Sequence, residues 1–341
     1  MNKMIVARLV PEYDEEGMGL STYLVPITRE LRKIGVKNNI ILIQGKRPMH
    51  LVTGITAYKK LKNEEKDIIH HHNPLYTTIN LFKKEIKEPI IYTLHNDMFA
   101  IKKLRTTNLF ELKNNLIFYY LSKYSIKKSD YTIVGSKEGK RLIQERLGKM
   151  EVEYIPSGYD PRKFYKEKNV EVKNQILYVG RFSKQKNIEG IIDLFKELRK
   201  DYKELRLILV GGKVTDDGYT DVIRKIIEER LLIEIDIIPS TTQDELRKIY
   251  NESKATIILS KAEGTCKVGI ESLACGTPII SNGVGGVKDY LRNGENGYYI
   301  DSISFERIDR LRRNCVNSVK SFTWKNCAKK HKRLYEKVLS K

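Results

Sequence analysis

Two kinds of covalent or metal staple are beyond this sequence. Its four cysteines, Cys266, Cys275, Cys315 and Cys327, form no CxxC pair and no other zinc spacing, and they are too few for a disulfide framework. A reducing, cytoplasmic setting is therefore expected. Any uncharged apolar run of about 18 residues is also missing, so no membrane-spanning helix is expected. The opening residues MNKMIVARLVPEYDEEG carry a short apolar run that Arg8 breaks and acids follow. They read as a first strand and not as a signal peptide. There is no short-period repeat, no low-complexity segment and no recognisable nucleic-acid module, so nucleic acid is not an expected partner. The chain also lacks an Asp-x-Asp pair of the kind that holds a metal on a nucleotide diphosphate. Fixed cations and a helix dipole are the natural substitute, with no metal or cofactor required.

What the sequence has in excess is positive charge. Among 341 residues, 63 Lys and Arg face 43 Asp and Glu, a net charge of +20. The excess is local: residues 101–150 and residues 301–341 each hold 12 basic and 4 acidic side chains. Such patches favour an anionic partner such as a phospholipid surface or a lipid-linked pyrophosphate. The plainer reading is that lysine and glutamate simply solvate the faces of long helices.

The length exceeds one ordinary core, so two domains are expected. Short β-branched and aromatic runs alternate with longer amphipathic stretches almost throughout. The first-half strands are MIVARLV, NNIILIQ, DIIHHHN, PIIYTLHN, DYTIVGS and VEYIPS, with helices such as Leu20 to Ile34 and Lys137 to Leu147 between them. A charged, linker-like stretch runs from Lys163 to Lys173. The alternation then resumes with QILYVGR, LRLILVGG, IEIDIIPS, ATIILS, TPIISN and GYYID. Strands apolar at nearly every position suit parallel sheets covered on both faces. Two doubly wound α/β domains in tandem are expected. Ligands bind such sheets at the carboxyl ends of the strands, which directs attention to Gly17, Gly19, His95, Arg181 and Glu263, all facing one expected cleft.

The stretch KAEGTCKVGIESLACGTPII joins these ideas. ATIILS is the strand, a loop carries Glu263, and a helix starts near Cys266, contains Glu271 and ends before Gly276-Thr-Pro278. Backbone N–H groups of Thr265, Cys266 and Lys267 at that helix start suit a phosphate. A carboxylate on each side of a phosphate cradle matches a nucleotide sugar, with hydroxyls at both ends. The competing reading makes Glu263 a helix-capping acid and Glu271 a surface residue. Arg181 and Lys186, in LYVGRFSKQKN, can both reach a diphosphate. His70, His71 and His72 do not make a metal site on alternation grounds, because only His70 and His72 share a side of a strand. Cys266 has no identifiable base partner and reads as a loop residue, not a nucleophile.

Taken in order, ILYVGRFSKQKN, LILVGG, STTQDELRKIY, EGTCKVGIE and CGTPII resemble the donor-binding half of family 4 retaining glycosyltransferases, and GMG, HHHNP, TLHND, VGS and IPSGYDPRKF agree more loosely in the first half. The resemblance covers nearly the whole chain. It implies the GT-B fold: an acceptor domain over 1–168, a donor domain over 169–321, and a last helix at about 322–341 returning to the first domain. It implies that Arg181 and Lys186 grip the donor diphosphate, Glu263 contacts the sugar, Glu271 the ribose, and His95 stands beside the transferred sugar. Gly17 and Gly19 match the glycine loop that admits phosphates and acceptor, and Gly180, Thr265, Cys266, Lys267 and Val268 complete the expected donor set. Thr265, Cys266, Lys267 and Gly269 depart from the residue types usual in the family.

Further implications concern chemistry. Transfer with retention from a UDP- or GDP-linked sugar to a glycan or lipid-linked acceptor is implied, by a front-face route in which the leaving diphosphate accepts the proton. The basic and aromatic mixture from Phe99 to Lys128 suggests an anionic membrane surface as a further partner, at the cytoplasmic face. A sugar-nucleotide epimerase on the same fold, or a basic nucleic-acid-binding protein, are the alternatives.

Overall fold

The computed structural model describes residues 3–14, 19–43, 50–95, 109–211, 219–229, 233–239 and 241–341. Gly17 and residues 99–108 of the basic and aromatic stretch lie outside the described residues. The chain divides into two compact units, the first Met1–Ser157 with Trp324–Lys341, the second Gly158–Thr323. Residues 158–168, assigned from sequence to the first domain, thus fold with the second.

The first unit carries strands β1 (Met4–Val10), β2 (Val36–Leu42), β3 (Ile68–His71), β4 (Ile90–Leu94), β5 (Tyr131–Val134) and β6 (Val152–Tyr154), with helices α1 (Ser21–Lys33), α2 (His50–Lys62), α3 (Leu109–Lys128) and α4 (Lys137–Leu147) between them. Its sheet is parallel with order β2-β1-β3-β4-β5-β6. The order reverses between β1 and β3. Alternation divides the sheet faces. Ala7, Leu9, Ile69 and Ile90 pack toward Ala57, Tyr76 and Ile79 on one side. Val6, Val10, Ile68 and Ile91 join Leu24, Ile27 and Leu31 of α1 on the other.

The second unit holds β7 (Gln175–Val179), β8 (Arg206–Val210), β9 (Ile235–Ile238), β10 (Ala255–Ile258), β11 (Ile279–Ser281) and β12 (Gly297–Tyr299), with α5 (Ile188–Asp201), α6 (Tyr219–Glu229), α7 (Gln243–Glu252), α8 (Lys267–Ala274) and α9 (Arg312–Ser318). This parallel sheet has the order β12-β11-β10-β7-β8-β9 and reverses between β7 and β10. Both of its faces are apolar, one under Ile188, Ile191, Ile192 and Phe195 of α5, the other under Ile270 and Leu273 of α8. Each of the twelve sequence-expected strands is present, shortened mostly at the end that runs into a loop. The helix expected over Leu20 to Ile34 spans Ser21–Lys33, and the one expected over Lys137 to Leu147 keeps those bounds. Ser136 caps the latter by accepting from the Gly139 N–H at 2.8 Å.

The final helix, α10 (Trp324–Leu339), belongs to the first unit and buries Trp324, Cys327, Ala328, His331, Leu334, Tyr335 and Val338 there. These residues recur at three- and four-residue steps, which sets one apolar stripe against the sheet and leaves the lysines outside. The stretch from Lys163 to Lys173 is not a linker. Phe164 is buried, the Glu167 N–H donates to Asn251 Oδ1 at 2.8 Å, and Arg247 Nε donates to Glu167 at 2.7 Å. Most of its charged side chains are exposed, while its backbone and the Glu167 carboxylate are tied to α7, a distinction that composition alone does not carry.

Candidate active site

The reversal between β7 and β10 leaves a notch at the carboxyl ends of the second sheet, and two loops fill it. After β7 the chain turns through Gly180, at φ +151°, to the exposed Arg181. Gly211, at the end of neighbouring β8, has no room for a side chain: a Cβ there would lie 1.9 Å from the Gly180 carbonyl oxygen. The Tyr178 hydroxyl donates to the Arg181 carbonyl at 2.7 Å and so fixes the backbone beneath that guanidinium.

The loop after β10 is stitched to the loop after β7. The Lys261 N–H donates to the Gln185 carbonyl at 2.8 Å, and Gln185 Nε2 donates back to the Ala262 carbonyl at 2.8 Å. These two bonds bring Lys186 Nζ to 2.5 Å from Glu263 Oε1, which also accepts from Ser260 Oγ at 2.7 Å. Both bonds reach Oε1, and Oε2 has no hydrogen-bond partner among the described residues. Glu263 is therefore not a helix-capping acid. It is a partly shielded carboxylate held by a cation, with its second oxygen available. The Arg181 guanidinium likewise has no side-chain partner among the described residues, so the notch offers donors and an acceptor side by side.

Behind this loop lies a support that sequence reasoning missed. Gly285, at φ +50°, comes so close that a Cβ would sit 1.9 Å from the Glu263 carbonyl oxygen, and the Gly286 N–H donates to the Gly264 carbonyl at 2.7 Å. The signal available in the sequence was Asn282-Gly-Val-Gly-Gly286 directly after the IIS strand: paired glycines past a strand end allow one backbone to pack on another.

Helix α8 starts at Lys267, with Cys266 as its N-cap in the left-handed region at φ 57° and no side chain capping it. An L-residue is strained there. The Tyr290 hydroxyl restrains it by donating to the Cys266 carbonyl at 2.8 Å, and it takes the space that a side chain at Gly269 would need, 2.3 Å from an added Cβ. The unusual glycine and the unusual cysteine are thus two halves of one packing arrangement. Burial, helped by the Glu263 charge, pushes the Cys266 thiol up to about 12, so it stays protonated and is no nucleophile at neutral pH. One turn along, Glu271 is half-buried. Burial raises its carboxyl, and the Lys267 ammonium and Tyr250 hydroxyl oppose that rise. Burial also lowers Lys267, which Glu271 opposes. Thr265 is buried and Val268 half-buried at the same helix start.

The remaining sequence-derived residues lie in the first unit. Gly19, at φ +67°, precedes α1, and the Leu20 N–H donates to Glu12 Oε1 at 2.7 Å. His95 follows β4, with Nε2 3.0 Å from His72 Nδ1 and its ring edge-on to Tyr23 at 4.8 Å between centroids. His70 and His72 share a face, stacked at 4.3 Å, while His71 stacks on Tyr92 on the other. No group of three or more His, Cys, Asp or Glu among the described residues is arranged to hold a metal ion.

The comparisons with known proteins agree with this architecture. Residues 160–314 match the model of the glycosyl transferases group 1, and residues 18–163 match that of glycosyltransferase family 4. An uncharacterized glycosyltransferase of Methanocaldococcus jannaschii is 27% identical over 304 residues, covering 83% of this chain and 80% of that protein. Among solved structures, sucrose-phosphate synthase from Thermosynechococcus elongatus superposes with a TM-score of 0.85 at 18% identity, over 99% of each chain. Anabaena HepE, solved with UDP and glucose, gives 0.73 at 13% identity, over 99% of this chain and 100% of that one. The two family models together span both units, and the chain belongs to the group 1, family 4 glycosyltransferases, enzymes of the GT-B fold.

Proposed function

We propose that this glycosyltransferase moves a hexose-type sugar from a UDP- or GDP-linked donor to a glycan or lipid-linked acceptor, with retention of anomeric configuration and no metal. The observation that carries the reading is the triplet at the reversal of the second sheet: Arg181 exposed, Lys186 bonded to Glu263, and Glu263 Oε2 without a hydrogen-bond partner among the described residues. A planar fork and an ammonium beside a helix start suit a diphosphate, and the remaining carboxylate oxygen suits a sugar hydroxyl. The structure of Anabaena HepE with UDP and glucose supports the donor class.

On this reading the bond from the anomeric carbon to the diphosphate oxygen breaks and the bond to the acceptor oxygen forms on the same face. The acceptor's proton passes to the departing phosphate oxygen. Arg181, Lys186 and the α8 dipole stabilise the charge that develops there, and Glu263 orients the sugar without attacking it. Ion pairing to Lys186 makes Glu263 a weak nucleophile and a good anchor.

The acceptor side rests on charge. Helix α3 exposes Leu116 and Tyr120 together with Lys127 and Lys128. Elsewhere in the first unit Lys137 and Lys330, one from each basic segment, lie 5.9 and 5.4 Å from the Tyr154 ring. Such a face fits an anionic membrane surface at the cytoplasmic side. No helix among the described residues is long and apolar enough to cross a membrane.

The test is a panel of nucleotide sugars scored by thermal stabilisation, followed by NMR of the product's anomeric configuration. One sugar nucleotide at a hundredfold its Kd should add about 2.7 kcal/mol. If none stabilises the protein, or the product is inverted, the reading is wrong.

A further inference from the structure

We propose that Arg8 is a positioning residue that, acting through His72, holds His95 as a neutral imidazole with its single proton on Nδ1. Arg8 sits in the middle of β1, is completely buried, and pairs with no carboxylate among the described residues. Its guanidinium is satisfied by neutral groups instead. Nε donates to Asn38 Oδ1 at 2.7 Å, one terminal nitrogen lies 3.2 Å from His70 Nδ1 and 2.9 Å from His72 Nε2, and the other donates to the Tyr335 hydroxyl at 2.7 Å.

The direction of every bond in the cluster follows, because a guanidinium only donates. His72 Nε2 must accept from Arg8, so the one proton of neutral His72 is on Nδ1. That Nδ1–H points at His95 Nε2, 3.0 Å away, which must therefore be a lone pair. His95 is left with its proton on Nδ1. If His95 became an imidazolium, its new Nε2–H would meet the Nδ1–H of His72, and His72 could turn that proton away only by breaking its bond to Arg8.

The surrounding groups close the same pattern. His70 Nδ1 accepts from Arg8 and from the Tyr335 hydroxyl at 2.9 Å, and its Nε2–H donates to Thr93 Oγ1 at 2.7 Å. His331 donates from Nδ1 to the Cys327 carbonyl at 2.9 Å and accepts at Nε2 from the Tyr23 hydroxyl at 3.0 Å. Burial, reinforced by the Arg8 charge, holds His70 and His72 well below the usual histidine range and His331 at about 3. Among the described residues, Arg8 from β1, His70 from β3, Tyr23 from α1 and His331 from α10 lie around the His72–His95 pair, with Thr93 from β4 and Tyr335 from α10 bonded to His70 behind them. The single permanent charge among these groups is positive.

The tautomer stands on geometry alone, whereas its use, as an Nδ1–H donor in the sugar-side role that the family resemblance implies for His95, rests on the glycosyl transfer proposed above. The direct test is long-range proton–nitrogen NMR on the full chain labelled with 15N-histidine, with resonances assigned by His72→Asn and His95→Asn. The expected result is the Nδ1–H tautomer for both residues, unchanged between about pH 5 and pH 8, a range an ordinary histidine titrates across. In Arg8→Met, His95 should begin to titrate inside that range. An Nε2–H tautomer or a titrating His95 in the unsubstituted protein overturns the proposal, and so does a folded Arg8→Met with an unaltered spectrum. If Arg8→Met does not fold, the unsubstituted protein alone decides. The pH profile of kcat separates the two layers: Arg8→Met should gain an acid limb near about pH 6.5. A flat profile with the expected NMR result would count against the role of His95 at the sugar and leave its tautomer intact.

Discussion

The two units are built from the same repeating pattern and put their polar residues in opposite places. In the first, a polar row crosses the buried face of the sheet: Asn38 on β2, Arg8 on β1, His70 on β3 and Thr93 on β4, covered by α1 and α10. In the second, both faces are apolar and the charged residues sit in loops past the strand ends. All six histidines of the chain fall outside residues 158–323, the span of the second unit. A parallel sheet can bear function in either place, but the chemistry differs. A buried row must be neutral or fully bonded, and it fixes protons. A strand-end loop remains accessible, and it binds.

The comparison is broken most severely at the second unit's notch. Removing one charge-stabilising group from such a site lowers kcat by about 10²–10³-fold. Arg181→Ala and Glu263→Ala should both show this, with the melting temperature nearly unchanged, whereas Glu263→Gln should retain more activity than Glu263→Ala. Steady-state kinetics on the stabilising nucleotide sugar checks it. If these variants instead unfold the protein, the notch is structural.

A smaller effect is expected from acid, and here the units should part. His71 is held at about 4 and His331 at about 3, both chiefly by burial. The unfolded chain protonates these rings near its ordinary value of about 6.5 while the native state resists, so the stability they contribute is present above that pH and is lost as pH falls through the folded values. Between about pH 6.5 and pH 4, each such group weakens the first unit by up to about 1.4 kcal/mol per pH unit. The second unit has no histidine, and the raised carboxyl of Glu271 works in the opposite sense, adding stability as pH falls. Hydrogen exchange at pH 5 and pH 7 should show the first unit opening selectively. Equal changes in both units would refute the contrast.

Next come the close contacts that support the second unit's site. Gly285→Ala forces a Cβ onto the Glu263 carbonyl and should destabilise by about 2–4 kcal/mol in urea melts, with the Glu263 loop displaced. Tyr290→Phe, which removes the bond to the Cys266 carbonyl, should remove about 1–2 kcal/mol. If Tyr290→Phe is silent in stability and in donor affinity, the coupling of Gly269 to Cys266 has no energetic weight.

The smallest expected effect concerns the first unit's surface. Lys137→Ala with Lys330→Ala should leave stability within about 0.5 kcal/mol and weaken sedimentation with anionic vesicles by about 1 kcal/mol per lysine. Absence of vesicle binding by the unsubstituted protein at low salt would refute the membrane reading outright.

Much of this was legible beforehand, and what was not has a physical explanation. Runs such as QILYVGR and ATIILS announce buried parallel strands because their central positions are almost all apolar, and the loops that follow announce the site because doubly wound sheets bind there. The sequence by itself therefore determined the two-part α/β architecture, the identities at the strand ends and a helix start near Cys266, which the structure makes the N-cap of a helix beginning at Lys267. It did not determine sheet order, which depends on which crossover packs where, so the reversal that brings the loop of Arg181 and Lys186 against the Glu263 loop came only from the tertiary structure. The bonding of Arg8 was decided there as well. In the sequence it is a charge interrupting an apolar run, and its partners lie 30, 62, 64 and 327 residues away. Periodicity reports which face a side chain takes, but only the folded chain brings together the groups that fix where a proton resides.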